Sequence, residues 1–287
     1  MFIVRKRLVW IAPALLVLLM VIAFIATSFQ SVTNYDDPEG PKFEGAYSPG
    51  RTDFNGELKV VSWNIAFAND IEQAINDLQE APDLRDADIL LLQEMDEIGT
   101  ETIARTLGYN YVYYPASVHS RTNRNFGNAV LSKWPIEMSE KIILPHHSPK
   151  NDQIRIAVRA LLTIDDKKVS VYSVHTETIW LDNESRADQI TYLTEIIESD
   201  EPHVIVGGDF NTITLNDELF LNEQMAAVGL EDTTENIGNT FGLGRVGLIL
   251  DHIFTRGMMH LDAGVWQESD ASDHDPVWAK MKIDSIL

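Results

Sequence analysis

The chain has 287 residues and 45% hydrophobic composition, which is enough to build one large core. Its 44 Asp and Glu residues against 22 Lys and Arg give a net charge of −22, and so acidic a surface disfavours long nucleic acid as a partner. There is no cysteine, so disulfides and thiolate ligands are excluded, and any metal ion must be held by oxygen or imidazole.

The first feature in chain order is an apolar run at residues 8–26, which has 19 residues without a charge. This length crosses the core of a bilayer and exceeds the usual apolar region of a signal peptide, so we predict one transmembrane helix. Arg5, Lys6 and Arg7 precede the run, and the positive-inside rule therefore places residues 1–7 in the cytoplasm and the rest outside. We expect a single-pass protein of the cell membrane; the alternative is secretion after signal-peptide cleavage near Ala26.

Residues 27–56 are rich in proline and glycine without periodicity, which predicts a linker, either a tether or a strap along the domain. A folded domain is predicted at 57–287. Alternating apolar and amphipathic runs predict helices at 71–78 and 184–198, and strands at 58–63, 89–92, 129–132, 154–164, 169–174 and 204–206. Strands outnumber helices, which favours packed sheets with helices outside, an α/β layered sandwich.

Polar residues follow five apolar runs, at positions where packing alone would not place them. They are Asn64, Gln93 with Glu94, His175, Asp209 with Asn211, and Asp251 with His252. Sites are commonly built where strands end, so we expect these side chains to share one edge. Any one of them alone is more commonly a turn or a cap, and His252, on the opposite face from Asp251, is interpreted as structural.

These residue types suit metal-assisted cleavage of phosphate esters. Mg²⁺ takes hard oxygen ligands, a role that Glu94 and Asp273 fit. A carboxylate such as Asp209 can orient or deprotonate a water molecule. The groups available to hold phosphate oxygens as negative charge builds are Asn211, His175 and His274.

Seven motifs in order resemble those of the endonuclease/exonuclease/phosphatase superfamily, and together they span residues 58–287. The motifs are Ser62-Trp63-Asn64, Leu92-Gln93-Glu94, Gly127 to Ser132, Val174-His175-Thr176, Gly207-Gly208-Asp209-Phe210-Asn211, Leu250 to Ile253, and Ser272-Asp273-His274-Asp275-Pro276-Val277. The Gly-Asp-Phe-Asn and Ser-Asp-His motifs are the specific ones. The resemblance implies a four-layered α/β sandwich, two packed mixed sheets flanked by helices, with the site at one edge.

The same resemblance implies roles for individual residues. Glu94 is the expected principal Mg²⁺ ligand, with Asn64 and Asp273 close to the metal, which Mn²⁺ or Ca²⁺ could replace. Asp209 is expected to activate or orient the attacking water, and Asn211 to bind a phosphate oxygen.

The histidines complete the implied site. His274, oriented by Asp251, is expected to contact the phosphate and assist proton transfer, and His175 to add a further phosphate contact. Whether His274 or Asp209 is the base stays open.

Three more residues are predicted to bind substrate. Arg155 and Arg159 lie in the strand region where many relatives carry an Arg-x-Ala pattern, and Arg159-Ala160 is taken as the match, although a sheet-edge salt bridge explains both arginines equally well. Arg186 lies on a helix face that could point back at the site, and Asn128 is expected near the pocket rim.

The sequence therefore predicts a Mg²⁺-dependent phosphodiesterase or phosphatase whose substrate is a small or lipid-borne phosphate ester, with the membrane as partner through the N-terminal helix. A nuclease acting on DNA or RNA is the alternative, and a non-catalytic binding module on the same scaffold is the alternative of another class. We expect a monomer, although nothing in the sequence sets the oligomeric state.

Overall fold

The computed structural model describes residues 32–51, 54–120, 122–178, 181–243 and 246–283. The predicted membrane span at residues 8–26 lies outside these ranges. Among the residues that are described, no helix has the length and apolar character needed to cross a bilayer.

Short strands dominate the described chain, as the many brief apolar runs predict. In chain order they are β1 Thr33–Asn34, β2 Phe43–Ala46, β3 Glu57–Asn64, β4 Ile89–Met95, β5 Asn110–Val118, β6 Asn125–Ser132, β7 Ile136–Ile143, β8 Ile156–Ile164, β9 Lys167–His175, β10 His203–Asp209, β11 Glu231–Asp232, β12 Phe241–Leu243, β13 Val246–Leu248, β14 Asp251–Arg256, β15 Met258–Val265 and β16 Val277–Ile283.

The strands form two large sheets. The first has eight strands in the order β1-β5-β6-β4-β3-β16-β15, with β2 also paired to β5, and the second has six in the order β11-β14-β10-β9-β8-β7. Strands β12 and β13 form a separate hairpin. Since β3 pairs parallel with β4 and β9 pairs parallel with β10, while their other neighbours are antiparallel, both sheets are mixed.

Helices flank the sheets, and in the described residues they are α1 Ile71–Glu80, α2 Glu97–Leu107, α3 Asn183–Glu198 and α4 Leu215–Ala227. Each begins after a residue whose side chain accepts a hydrogen bond from a first-turn backbone amide. These caps are Asp70, Asp96, Asp182 and Thr214. The helices predicted at 71–78 and 184–198 are confirmed as α1 and α3.

Alternation along each strand divides the core into layers, because successive side chains point to opposite faces of a sheet. On β3, Leu58 and Val60 pack between the two sheets, while Val61 and Trp63 pack under α1 and α2. A third cluster lies between the second sheet and the helices α3 and α4. The predicted α/β sandwich of two mixed sheets with helices outside is confirmed.

Part of the predicted linker at 27–56 belongs to the first sheet. β1 and β2 both pair antiparallel with β5, with Thr33 opposite Val118 and Phe43 opposite Tyr113. An extended, proline-rich segment can cover a sheet edge without a core of its own. The described part of this segment is therefore a strap, and the folded domain begins before Glu57.

Candidate active site

Strand direction brings the polar strand ends together at one edge of the sandwich. β9 and β10 run parallel, so Asp209 is in register with His175. β14 runs antiparallel to β10 and begins at this edge, which pairs Asp251 with Asp209. In the facing sheet, β3 and β4 end side by side, with Asn64 opposite Gln93. Both sheets therefore contribute to one site.

Asp209 lies at the centre of this edge, and its side chain is 2% exposed. Its Oδ2 accepts a hydrogen bond from Asn64 Nδ2 at 3.0 Å, and its Oδ1 accepts one from the Asn211 amide at 3.0 Å. Gly208 permits the approach of β9 behind it, since a Cβ there would lie 1.9 Å from the carbonyl oxygen of Val174. The carboxylate is thus fixed from both sheets.

A bulge at the end of β4 aims Glu94 into the site. The register of β4 against β6 shifts between Leu92 and Met95, and Glu94 has a left-handed φ of 57°. Its Oε2 accepts a hydrogen bond from the Phe67 amide at 3.2 Å, and its Oε1 lies 4.0 Å from His175 Nε2. A non-glycine residue at this φ is strained, and such strain persists where the surroundings hold it.

The turn that contacts Glu94 is itself left-handed and is held by an arginine. Ala66, Phe67 and Ala68 have φ values of 25°, 61° and 50°. Arg124, from the loop between β5 and β6, donates through Nη2 to the Phe67 carbonyl at 2.6 Å and through Nη1 to Asp96 Oδ2 at 2.7 Å. Arg124 therefore supports the turn that contacts Glu94.

His274 is positioned by hydrogen bonds at the ring and at the backbone. Its Nδ1 donates to Asp251 Oδ2 at 2.9 Å, and that oxygen also accepts from Thr240 Oγ1 at 2.7 Å. The indole of Trp63 donates to the His274 carbonyl at 2.9 Å. The Ser272 hydroxyl accepts from the His274 amide and donates to the Asn64 carbonyl. The free Nε2 faces Asp209 Oδ2 at 3.7 Å.

His175 forms the other side of the site and packs against a buried ion pair. Its Nε2 lies 3.5 Å from Asp209 Oδ2 and 3.3 Å from Nη1 of Arg155. Arg155 in turn contacts Glu177 at 3.3 Å, and both side chains are buried. Gln189 of α3 accepts a hydrogen bond from the Glu177 amide, which fastens the chain after β9.

Burial raises the pKa values of two carboxylates in the site. Burial raises the pKa of Glu94 to about 7, despite the opposing charge of Arg155. Burial also raises the pKa of Asp209 to about 6, with the His274 charge acting against it. Buried carboxylates with raised pKa values gain stability from an added cation, so the donor set fits a divalent metal ion.

The two histidines are driven in opposite directions. Burial lowers the pKa of His175, and the neighbouring Arg155 charge lowers it further, so the ring is neutral at pH 7. Burial also opposes the charge of His274, but Asp251 and Asp209 outweigh it and raise its pKa to about 10. His274 is therefore a charged donor and His175 a neutral one.

The residues that could hold a metal form two overlapping groups. In the first, Glu94 and Asp209 offer carboxylate oxygens that both face His175 Nε2, and Asn64 donates to Asp209 while its Oδ1 accepts from the Ala66 backbone amide. Asp209, Asp251 and His274 also offer ligand atoms within 4.8 Å of one another. In that second group a charged His274 has no lone pair for a metal, and its Nδ1 is bonded to Asp251, so the group suits proton transfer better.

Two of the predicted residues lie at the margin of the site. Asp273 is exposed beside His274, whose pKa it helps to raise. Arg186 lines a cavity next to Asn211, where its Nη2 donates to Asp217 and Asn183, both at 2.9 Å. The predicted face of α3 thus points toward the site, but its cation is already paired.

Two predicted substrate contacts are corrected by the structure. Asn128 is not at a pocket rim: its amide is buried between the sheets and donates to the carbonyls of Ile156 and Ser173. Arg159 lies in the middle of β8, in register with Tyr172, and its side chain pairs with Asp200 and Glu140. Both side chains use their donors on the protein itself.

Arg155 is the arginine at the site, and antiparallel pairing explains why. Ile156, at the start of β8, is in register with His175, at the end of β9. The residue just before β8 therefore reaches the catalytic edge, and a residue four positions later is carried away from it. The sequence contains this signal only once the two strands are known to pair. Glu177 and Thr240 carry no sequence signal of this kind.

A model of the Endonuclease/Exonuclease/phosphatase family matches residues 61–274. The chain belongs to this family, which includes phosphatases and nucleases; its members are generally hydrolases of phosphoesters and typically use divalent metal ions. The family resemblance of the sequence motifs is confirmed.

The chain is also similar to one curated protein in sequence and to solved structures in fold. The chain is 27% identical to a UPF0294 protein of Vibrio cholerae over 290 residues, which cover 97% of this chain and 99% of the relative. Its fold is similar to that of D. rerio TDP2 complexed with single strand DNA product, with a TM-score of 0.61, 16% identity and coverage of 79% and 100% of the two chains. A mannosyl-6-phosphatase of Bacteroides thetaiotaomicron gives a TM-score of 0.60, 17% identity and coverage of 78% and 99%.

Proposed function

We propose that this chain is a Mg²⁺-dependent phosphodiesterase or phosphatase that acts outside the cytoplasm on a small or lipid-borne phosphate ester. The observation that carries the proposal is the shared edge of Glu94, Asp209 and His274 in a family of phosphoester hydrolases. The net charge of −22 favours a small or lipid-borne substrate over a long polyanion.

Glu94 and Asn64 are the residues that would hold the metal ion, with Mn²⁺ or Ca²⁺ as possible replacements. A divalent ion bound there offsets the negative charge that builds on the phosphate oxygens. Asp273 is exposed and adds negative charge beside His274, which favours approach of the cation.

Asp209 is the better base and His274 the better acid. With a pKa raised to about 6, Asp209 is ionised at neutral pH and close enough to that pH to accept a proton from water. Asn64 and the Asn211 amide hold its two oxygens in place. His274, with a pKa raised to about 10, carries the proton that its Nε2 can donate to a phosphate or leaving-group oxygen.

The phosphate itself would be held by neutral and positive donors on the other side of Asp209. The side-chain amide of Asn211 donates one hydrogen to the Thr176 carbonyl, which orients the group. His175 offers a neutral ring beside it, and Arg155 places a buried positive charge 3.3 Å behind that ring. This arrangement stabilises charge on the phosphate without the long cationic surface that a nucleic acid needs.

A nuclease is the second candidate, because a solved structure with a similar fold contains a single strand DNA product. The acidic charge opposes it. The location outside the cytoplasm rests on the apolar run at 8–26 and the three basic residues before it.

The test is a panel of substrates incubated with the full chain and Mg²⁺, Mn²⁺ or Ca²⁺. It includes plasmid DNA, RNA, sphingomyelin, phosphoinositides, bis(p-nitrophenyl) phosphate and p-nitrophenyl phosphate. We expect hydrolysis of a small or lipid ester that requires the metal and is abolished in Glu94→Gln and His274→Gln. Glu195→Gln, an exposed carboxylate on α3, is the matched control and should keep full activity.

Hydrolysis of no ester by the folded protein with any of the three metals would contradict the proposed function. Degradation of plasmid or RNA, steeply inhibited by salt, with little action on the small esters would select the nuclease instead. Protease accessibility of residues 57–287 in intact cells tests the predicted location.

A further inference from the structure

A cavity of about 200 Å³ lies between α3 and α4 and opens beside the catalytic edge. Thr176, Asn211 and Thr212 form the wall that it shares with the site. Asn211 also donates a hydrogen bond from its backbone amide to Asp209 Oδ1, at 3.0 Å. A group attached to a phosphate near Asn211 would therefore have direct access to this cavity.

The deeper walls of the cavity are apolar. Ala187 and Ile190 come from α3, Phe220 and Leu221 from α4, and Phe210 from the chain after β10. Apolar walls of this kind favour a hydrocarbon over a polar or charged group, because burial of polar atoms without partners is costly.

The polar rim of the cavity offers little to a second phosphate. Among the described residues that line it, Arg186 is the one cation. Its Nη2 is 2.9 Å from Asp217 Oδ1, and the other oxygen of Asp217 accepts hydrogen bonds from the amide and hydroxyl of Thr214. The paired rim carries no net charge, so a neutral group fits it and a polyanion does not.

Apolar surface continues outside the cavity on α4. Leu215 is 68% exposed and Leu219 is 57% exposed, one turn apart at the start of α4. Asn216 and Phe220, their neighbours in sequence, line the cavity. Two large exposed side chains beside an apolar opening are typical of a surface that meets apolar ligands.

We propose that this cavity is the subsite for an aliphatic substituent of the phosphate ester, so that the substrate class is an alkyl or acyl-bearing ester. The inference rests on the proposed function and deepens it. A methylene occupies about the volume of a water molecule, roughly 30 Å³, so the cavity has room for a chain of about six carbons.

The test measures competitive inhibition by alkyl phosphates of one to six carbons, with hydrolysis of bis(p-nitrophenyl) phosphate by the full chain in Mg²⁺ as the readout. Each methylene that enters the cavity should lower the inhibition constant about two- to fourfold. Ala187→Phe fills the cavity and should make the inhibition constants of methyl and hexyl phosphate nearly equal. Phe220→Ser removes part of the opposite wall and should weaken the dependence on chain length.

Tyr192→Ala is the matched control, because Tyr192 is exposed on α3 and does not line the cavity; it should keep the wild-type dependence. An inhibition constant that is independent of chain length in the wild type overturns the subsite and leaves the proposed function standing. Absence of diester hydrolysis in the wild type overturns the proposed function instead.

Discussion

The two ends of the second sheet both bury charge, yet they do so with opposite results. At the far end, Asp200 is 5% exposed and accepts hydrogen bonds from Arg159, Ser170 and Tyr172. At the catalytic end, Asp209 is 2% exposed and accepts hydrogen bonds from the Asn64 side chain and a backbone amide. Asp200 has a guanidinium at hydrogen-bond distance, 2.9 Å away, whereas the charged His274 ring lies 3.7 Å from Asp209.

The pKa values follow from this difference. Burial opposes the charge of Asp200, but the hydrogen bonds from Arg159 and Tyr172 outweigh it and hold the pKa below its ordinary value. Burial prevails at Asp209 and raises the pKa to about 6. A buried carboxylate that is hydrogen-bonded to a cation stabilises the fold, whereas one whose pKa is raised by burial gains from the approach of a metal, a water or a substrate.

The largest expected effect is the loss of activity when Asp209, at the catalytic end of the second sheet, is neutralised. Asp209→Asn is expected to lower the rate of ester hydrolysis by about 10²- to 10⁴-fold, because the variant cannot accept a proton. Its melting temperature should be unchanged or higher, since a costly buried charge is removed. Steady-state kinetics and thermal unfolding measure both. Activity within tenfold of wild type would remove Asp209 from the proposed chemistry.

The same change at Asp200, at the other end of the sheet, should lower stability rather than activity. Asp200→Asn removes the buried partner of Arg159, which is then paired with the more exposed Glu140, and we expect a cost of up to about 3 kcal/mol of unfolding free energy, with activity per folded molecule retained. Because the pKa of Asp200 is lowered in the fold, its contribution is present at neutral pH and is lost as the pH falls below about 4. Denaturant unfolding at neutral pH and below about pH 4 measures this contribution.

The control for that prediction is Glu140→Gln, which removes the more exposed partner of the same arginine. We expect it to cost less than about 1 kcal/mol. Equal costs for Asp200→Asn and Glu140→Gln would show that burial does not distinguish the two pairs.

A third prediction concerns Asn128, which bridges the sheets. Asn128→Ala leaves the carbonyls of Ile156 and Ser173 without this donor and should cost about 1–3 kcal/mol, with kcat/KM unchanged. Chemical denaturation and kinetics on the same sample separate the two effects. A raised KM at unchanged stability would restore the substrate role that the sequence suggested.

The smallest effect is a dependence of metal affinity on pH. Glu94 must lose its proton to bind a metal, and its pKa is raised to about 7. Affinity for Mg²⁺ or Mn²⁺, measured by calorimetry, should therefore fall by up to about tenfold per pH unit below pH 7. Glu94→Gln should bind more weakly and flatten the profile. A flat wild-type profile down to about pH 5.5 would mean that Glu94 does not hold the metal.

The sequence predicted the catalytic edge because apolar strands that end in polar residues leave a strong local signal. Asn64, Glu94, His175 and Asp209 each follow such a run, and parallel strands bring equivalent ends together. Arg159 was wrong as a substrate contact because its position depends on the pairing of β8 with β9, which no local pattern reveals.

Two helices could not be predicted for a different reason. In α2 the buried face places Gly99 and Thr100 before Ile103 and Ala104, while Ile98 is 68% exposed, so the apolar stripe is weak in the first turn. In α4 the leucines of the first turns face outward and only Leu221 and Met225 are buried. Tertiary packing selects these helices, whereas α1 carries its own apolar face.

The strap formed by β1 and β2 also sets where the folded domain connects to the predicted span at 8–26. Thr33 pairs with Val118 at the end of β5, next to the loop at 119–124 whose Arg124 holds the turn at Phe67. Six residues separate Thr33 from the end of the predicted span at 8–26, and fully extended they reach at most about 25 Å. If that span crosses a bilayer, so short a connecting segment would keep the catalytic edge close to the membrane surface. The search for substrate then becomes two-dimensional, and its rate depends on the density of the ester in the surface rather than on its concentration in solution.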